Sequence, residues 1–200
     1  MPPTRLGCSM VETRIETARL ILRDWRGEDW PEFFRVTNTP AVMRWLGGVL
    51  DDDGIAKQRA RVEACHAANG FCFWAVERKH DHALLGFCGL KRADAPGSTV
   101  TGAFEAGWRF REDAWGHGFA KEAAIATLDA AFGRFGAGEV VALTVDGNTG
   151  SWGLMERLGM RRRADLDYDD PRYEPPWRRS IVYSINCETW AKHMNALQDG

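Results

Sequence analysis

Trp115-Gly116-His117-Gly118-Phe119-Ala120-Lys121-Glu122-Ala123 joins a strand-like segment to an amphipathic helix. Two glycines one residue apart let the backbone take conformations that a Cβ would disfavour. Successive N–H groups can then converge, and the helix that follows adds the positive end of its dipole, so the turn suits a phosphate. A GxG turn alone is more often structural than functional. The dinucleotide fingerprint does not fit, because a third glycine and a following acidic ribose ligand are missing. The Walker lysine pattern is absent too, which disfavours an ATP-binding loop.

Outward from this turn, strand and helix patterns alternate. Residues 101–111 alternate apolar and polar side chains and predict the strand that leads into it. Beyond it a helix is expected over 118–135, with Ile125, Leu128, Phe132 and Phe135 on one buried face. Further strands are expected at 19–25, 71–77, 83–90, 140–145, 160–168 and 180–186, and further helices at 28–36, 53–68, 151–158 and 188–197. The stretch 71–90 reads as a hairpin turning near His80-Asp81-His82. A turn is favoured there over a metal site, since no other ligand stands in register. The order, roughly βααβββαβαββ, predicts a mixed α/β (α+β) fold in one domain over 1–200, with 1–14 as an N-terminal tail and 169–178 as a loop beside the substrate.

Composition narrows the class. The 200 residues carry 26 basic and 28 acidic side chains, a net charge of −2. That balance lacks the basic surface nucleic-acid binding requires, and Arg161-Arg162-Arg163 reads as the exposed side of a strand. No apolar run approaches the roughly 18 residues of a membrane span, and the first residues lack a secretory pattern. Five cysteines without a CxxC pair favour reduced thiols, a cytoplasmic setting and no metal site, with Cys88 and Cys187 read as core residues.

Several further stretches, in order, carry a resemblance: Thr17-Ala18-Arg19-Leu20-Ile21-Leu22-Arg23, Gly86-Phe87-Cys88-Gly89-Leu90, Phe104 to Phe110, Asn148-Thr149-Gly150-Ser151 and Glu156-Arg157-Leu158-Gly159-Met160. With the glycine turn they resemble the GNAT superfamily of acyl-CoA-dependent N-acyltransferases, most closely its RimJ/RimL-like branch, from about residue 17 to 190. The resemblance implies a strongly bent mixed sheet with splayed central strands, flanked by helices. Acetyl-CoA is implied as co-substrate and a primary amine as acceptor, either a protein N-terminus or a small molecule. Trp115, Gly116, His117, Gly118, Phe119, Ala120 and Lys121 would cradle its pyrophosphate. Trp108, Arg109 and Phe110 would line the pantetheine arm, and Asn148 would contact it or nearby backbone. Unpaired strand groups can satisfy the amides of that arm as a neighbouring strand would. A homodimer is a common arrangement for such enzymes.

The pattern also departs from its relatives. Trp115 stands where many members have Arg or Gln. Met155 stands where many carry a tyrosine acid, and Leu143 where the RimI type carries a catalytic glutamate. Glu105 matches the acidic residue of the RimL-like "E-x-G-Y" strand and is the candidate base, on the strand face shared with Gly107 and Arg109. Its alternative is a solvated glutamate paired with a neighbouring cation. Ser151 matches the serine thought to protonate the departing thiolate, and it also sits where an N-cap is expected. Tyr168, Asp169 and Asp170 either attract a cationic amine or form a solvated acidic loop. The rival to an enzyme is a non-catalytic CoA-binding regulatory module, favoured by Met155 and Leu143 and opposed by Glu105 and Ser151.

Overall fold

The computed structural model describes residues 13–198. Its strands are β1 (Arg14–Glu16), β2 (Leu20–Arg23), β3 (Trp74–Arg78), β4 (Leu84–Arg92), β5 (Phe104–Phe110), β6 (Glu139–Thr144), β7 (Arg161–Arg162), β8 (Tyr168–Asp169) and β9 (Arg179–Asn186). They line up as β1-β2-β3-β4-β5-β6-β9-β7, with β8 also paired to β9. Neighbours are antiparallel except β5 and β6, which run parallel. The parallel pair is what α4 (Phe119–Asp129) exists to connect, since a parallel return needs a long crossover.

The helices divide between the faces. On one, α4, α5 (Thr149–Arg157) and α6 (Cys187–Gln198) lie over Leu22, Trp74, Leu90, Ala106, Val140 and Tyr183. On the other, Trp30, Phe33 and Phe34 of α1 (Asp29–Thr37) and Val62 of α3 (Asp52–Asn69) cover Ala75, Leu84 and Phe87. A short α2 (Pro40–Met43) lies between these last two. Alternation along β5 makes the division: Ala106 and Phe110 enter the first core, while Arg109 meets the rings of Phe33 and Phe87 on the other side.

The expected elements recur with shifted edges. The tail expected over 1–14 falls outside the described residues through 12, and Arg14 already belongs to β1, which pairs with β2. Residues 160–168 are not one strand. Arg161–Arg162 and Tyr168–Asp169 pair separately with β9 across a 3₁₀ turn, so Asp169 belongs to a strand rather than the loop. The helix expected to reach 135 ends as α4 at Asp129 and continues as one π turn, Ala130–Arg134. Cys88 is buried as expected, but Cys187 is exposed, because it opens α6 instead of closing β9.

Candidate active site

Gly116 and Gly118 both lie at left-handed φ, 77° and 78°, where an L side chain would be strained. Gly118 is the N-cap of α4 and offers no side chain, so the first N–H groups of the helix are left without a side-chain cap. Phe119, Ala123, Ala124 and Leu128 bury the inner face of α4 and fix where those groups point.

Glu122, in the first turn of α4, ties the turn to the segment leading into β2. Its Oε1 accepts from Thr17 Oγ1 at 2.5 Å and from the Arg19 backbone N–H at 2.8 Å, and its Oε2 accepts from Arg19 Nε at 2.7 Å. Burial acts to raise the Glu122 pKa, but these bonds outweigh it and hold the carboxyl below its ordinary value. Arg19 also donates through Nη1 to the His117 carbonyl at 3.0 Å, and its guanidinium lies 4.5 Å from the Phe119 ring. A half-exposed cation therefore stands over the glycine turn. The sequence offered Arg19 only as part of a resembling stretch, not as a site residue.

The second feature is a notch in the sheet. β5 and β6 pair through Phe104–Val140, Glu105–Val141 and Ala106–Ala142, and there the ladder stops. Both strands continue, to Phe110 and Thr144, without pairing to each other. Trp115, half exposed at the rim, donates its indole N–H to the Phe110 carbonyl at 3.0 Å. At Gly107 a Cβ would stand 2.8 Å from the Phe73 ring, which would have to shift to admit any larger residue.

A cleft of about 1020 Å³ runs from the α4 N-terminus through this notch to the face carrying α1 and α3. Glu105, Trp108, Arg109, Phe110, Trp115, Gly116, Gly118, Phe119, Ala120, Lys121, Asn148 and Ser151 all line it, and Met155 and Leu143 do as well. His117 does not. It sits at the outer side of the turn, exposed, with its ring 5.9 Å from that of Phe119.

Around α5 the geometry corrects one expectation. The N-cap is Asn148, whose carbonyl accepts from the N–H groups of Ser151 and Trp152 at 3.0 and 3.2 Å. Its side chain instead donates to Thr144 Oγ1 at 3.0 Å. Ser151 is therefore inside the first helical turn and caps nothing, and among the described residues its hydroxyl has no hydrogen-bond partner.

Glu105 meets half of the alternative reading: at 9% exposed it is not solvated, but it does have a neighbouring cation. It stands opposite Lys91 of β4, whose Nζ lies 3.0 Å from Glu105 Oε2 and 2.5 Å from Asp94 Oδ1. The lysine sits off the line of a hydrogen bond, so Oε2 is a buried oxygen with none accepted. Burial pushes the Glu105 carboxyl above its ordinary value against the pull of Lys91.

Of the acidic loop, Tyr168 and Asp170 reach the cleft. Asp170 is buried, not solvated, and its two oxygens accept from Arg172 Nε and Nη2, at 2.9 and 2.5 Å. Burial would raise this carboxyl too, yet Arg172 holds it below the usual range. Its charge is already consumed, so it offers little to a cationic amine. His80-Asp81-His82 forms the turn after β3, where Asp81 binds Arg78 and His82 Nδ1 lies 2.8 Å from Glu77.

The Acetyltransferase (GNAT) domain family matches residues 19–161. The uncharacterized protein YkkB of Bacillus subtilis (strain 168) is 31% identical over 150 residues, covering 74% of this chain and 86% of that protein. The acetyltransferase (GNAT family) structure from Bacillus anthracis superposes with a TM-score of 0.71 at 24% identity, covering 88% of this chain and 99% of that one. The ribosomal-protein-S5-alanine acetyltransferase structure from Vibrio fischeri does so with 0.68 at 16% identity, covering 89% and 98%. At such identities the two structures speak for the fold alone. With an uncapped helix start, a notched sheet and a family match spanning most of its length, the chain belongs to the GNAT acetyltransferase family.

Proposed function

We propose that this protein transfers an acetyl group from acetyl-CoA to a primary amine by direct attack in a ternary complex. The observation that carries the reading is the continuity of one cleft from the uncapped α4 start, through the β5–β6 notch, to the buried carboxylate of Glu105. The N–H groups at residues 116–121, with Lys121 and Arg19 beside them, suit a pyrophosphate. The free edges of Gly107–Phe110 and Leu143–Thr144 suit the amides of a pantetheine arm, and the thioester supplies an activated acyl carbon. Trp108 and Phe110 give that arm apolar walls.

On the far face Glu105 accepts the proton that the ammonium acceptor must lose, and a carboxyl raised by burial is a better base for this than a solvated one. The amine nitrogen then forms a bond to the acyl carbon, the nitrogen releases its second proton to solvent, and the carbon–sulfur bond breaks. Ser151 lines the cleft with an uncommitted hydroxyl and gives its proton to the departing thiolate, regaining one from solvent. Met155 and Leu143 exclude the tyrosine and glutamate chemistries of other branches at those positions.

Calorimetric titration with acetyl-CoA, with ATP as a comparison, tests the first half. Binding of acetyl-CoA without binding of ATP is expected, and failure to bind acetyl-CoA would overturn the reading. For the second half, Glu105→Gln should lower kcat by roughly 100-fold or more while acetyl-CoA affinity is kept. The acidic limb of kcat/KM, set above the ordinary carboxylate range in the wild type, should vanish with it. Unchanged turnover would remove Glu105 from the mechanism.

A further inference from the structure

Arg109 is 9% exposed and lines the cleft on the face of Glu105, opposite the α4 side. Its guanidinium lies 5.6 Å from the Phe33 ring and 5.5 Å from that of Phe87. Nη1 donates to the neutral Oε1 of Gln58 on α3 at 3.2 Å, and Nε is buried with no acceptor. Among the described residues no carboxylate comes within ion-pair distance of it. A charge at this depth is ordinarily paired, because taking it out of water costs several kcal/mol.

The other cations at this end of the cleft are either paired or, like Arg44, exposed to water. Lys91 is held between Glu105 and Asp94, and Arg172 is held by Asp170. Lys121 and Arg157 line the other end, beside α4 and α5. Arg109 is thus a buried cation with an unused donor, close to the proposed base on the same strand face. Burial pushes its pKa down to about 10, so it keeps its charge at neutral pH.

The space before it is roofed by the chain itself. Trp177 donates its indole N–H to the Arg44 carbonyl at 2.8 Å, and the Tyr173 ring lies where a Cβ at Gly47 would fall, 2.8 Å away. The loop of 170–178 therefore joins the segment after α2 over the acceptor end, which favours a small acceptor over a folded one.

We infer that the acceptor is a small molecule bearing a carboxylate as well as the amine, and that Arg109 binds this carboxylate as its missing counter-ion. This rests on the acetyltransferase reading and deepens it. A guanidinium fork matches a carboxylate and fixes its direction, which orients the nearby amine toward the notch. Only the backbone of Arg109 borders the notch proposed for the pantetheine arm, and its side chain leaves the α4-side face of β5 to Trp108 and Phe110, so acetyl-CoA affinity is expected to stay within a few-fold when the charge is removed.

The test is thiol release from acetyl-CoA with matched acceptors, each α-amino acid against its own carboxamide and its decarboxylated amine. Short peptides with an acidic or amide second residue form a further arm, which distinguishes a free amino acid from a peptide as the source of the carboxylate. In the wild-type protein the carboxylate members should be favoured at least tenfold in kcat/KM, through KM. Arg109→Gln should erase this preference and Arg109→Lys should keep part of it, with acetyl-CoA affinity within a few-fold by calorimetry. Equal use of carboxylates and amides by the wild type overturns the inference even if neither variant folds. So does an Arg109→Gln protein that keeps the preference, or a preference confined to acidic peptides. Absence of acetyl-CoA binding overturns the transferase reading itself, and this inference with it.

Discussion

Arg23 and Arg109 are both buried strand arginines, yet the fold treats them in opposite ways. Arg23, 4% exposed, gives Nη1 and Nη2 to Asp29 at 2.7 and 2.8 Å and Nε to Glu77 at 2.9 Å. Hydrogen bonding to Asp29 lifts its pKa further above the ordinary guanidinium value. Arg109 has Gln58 and two aromatic faces. The first arginine is a rivet, joining β2, β3 and the start of α1. The second is left electrically open at the wall of a cleft. A fold that can surround one buried guanidinium with two carboxylates and surrounds another with none reserves the second for something that arrives later.

The largest test of this contrast is Arg23→Met. Removing the shared partner of Asp29 and Glu77 leaves buried carboxylates uncompensated and should cost about 3–5 kcal/mol in a denaturant titration. The cost has a pH signature. Burial acts to raise both carboxyls, but their hydrogen bonds to Arg23, with Arg26 N–H at Asp29 and His82 at Glu77, outweigh it and hold them below 3.8 and 4.5. Their contribution is therefore full above those ordinary values and is lost as pH falls through the depressed ones. The gap between wild type and variant should close on acidification; a gap that stays constant would mean the loss is packing alone.

Arg109→Met should go the other way. It removes a buried charge without a counter-ion, and the denaturation midpoint should rise, by about 1 kcal/mol of stability, as acceptor recognition is lost. A destabilised Arg109→Met protein would make the two arginines alike and end the contrast. Smallest of all is Ser151→Ala, expected within about 0.5 kcal/mol of wild type in stability because the serine caps nothing. Its turnover should still fall several-fold if the hydroxyl serves the thiolate. A loss near 1 kcal/mol with unchanged turnover would return Ser151 to the capping role.

What the sequence made legible follows the range of the signal. The alternation of Phe104 to Phe110 and the buried face of α4 are local patterns, and they placed the base candidate and the glycine turn on the correct elements. Edges were less legible where pairing, not composition, decides them. Residues 160–168 look like one apolar–basic strand, but only two short pieces find partners on β9. Ser151 reads as a cap because composition alone does not fix the helix start to within two residues. Charge compensation was the least legible. Asp170 reads as a free acid until Arg172 is seen folded back on it, and no local pattern could reveal that Arg109 lacks what Arg23 has.

The clasp of Glu122 on Thr17 and Arg19 joins residues 103 to 105 positions apart. For a chain emerging from the ribosome, the segment around Thr17 is made early and must wait for the whole of β3, β4 and β5 before its partner appears. The glycine turn therefore acquires its final shape only once α4 has met the segment before β2. A pulse-labelled nascent chain stopped before residue 122 would hold β2 without its anchor. The α4 end of the cleft is in this sense a late product of synthesis, even though half of its clasp is translated 103 to 105 residues before the other half.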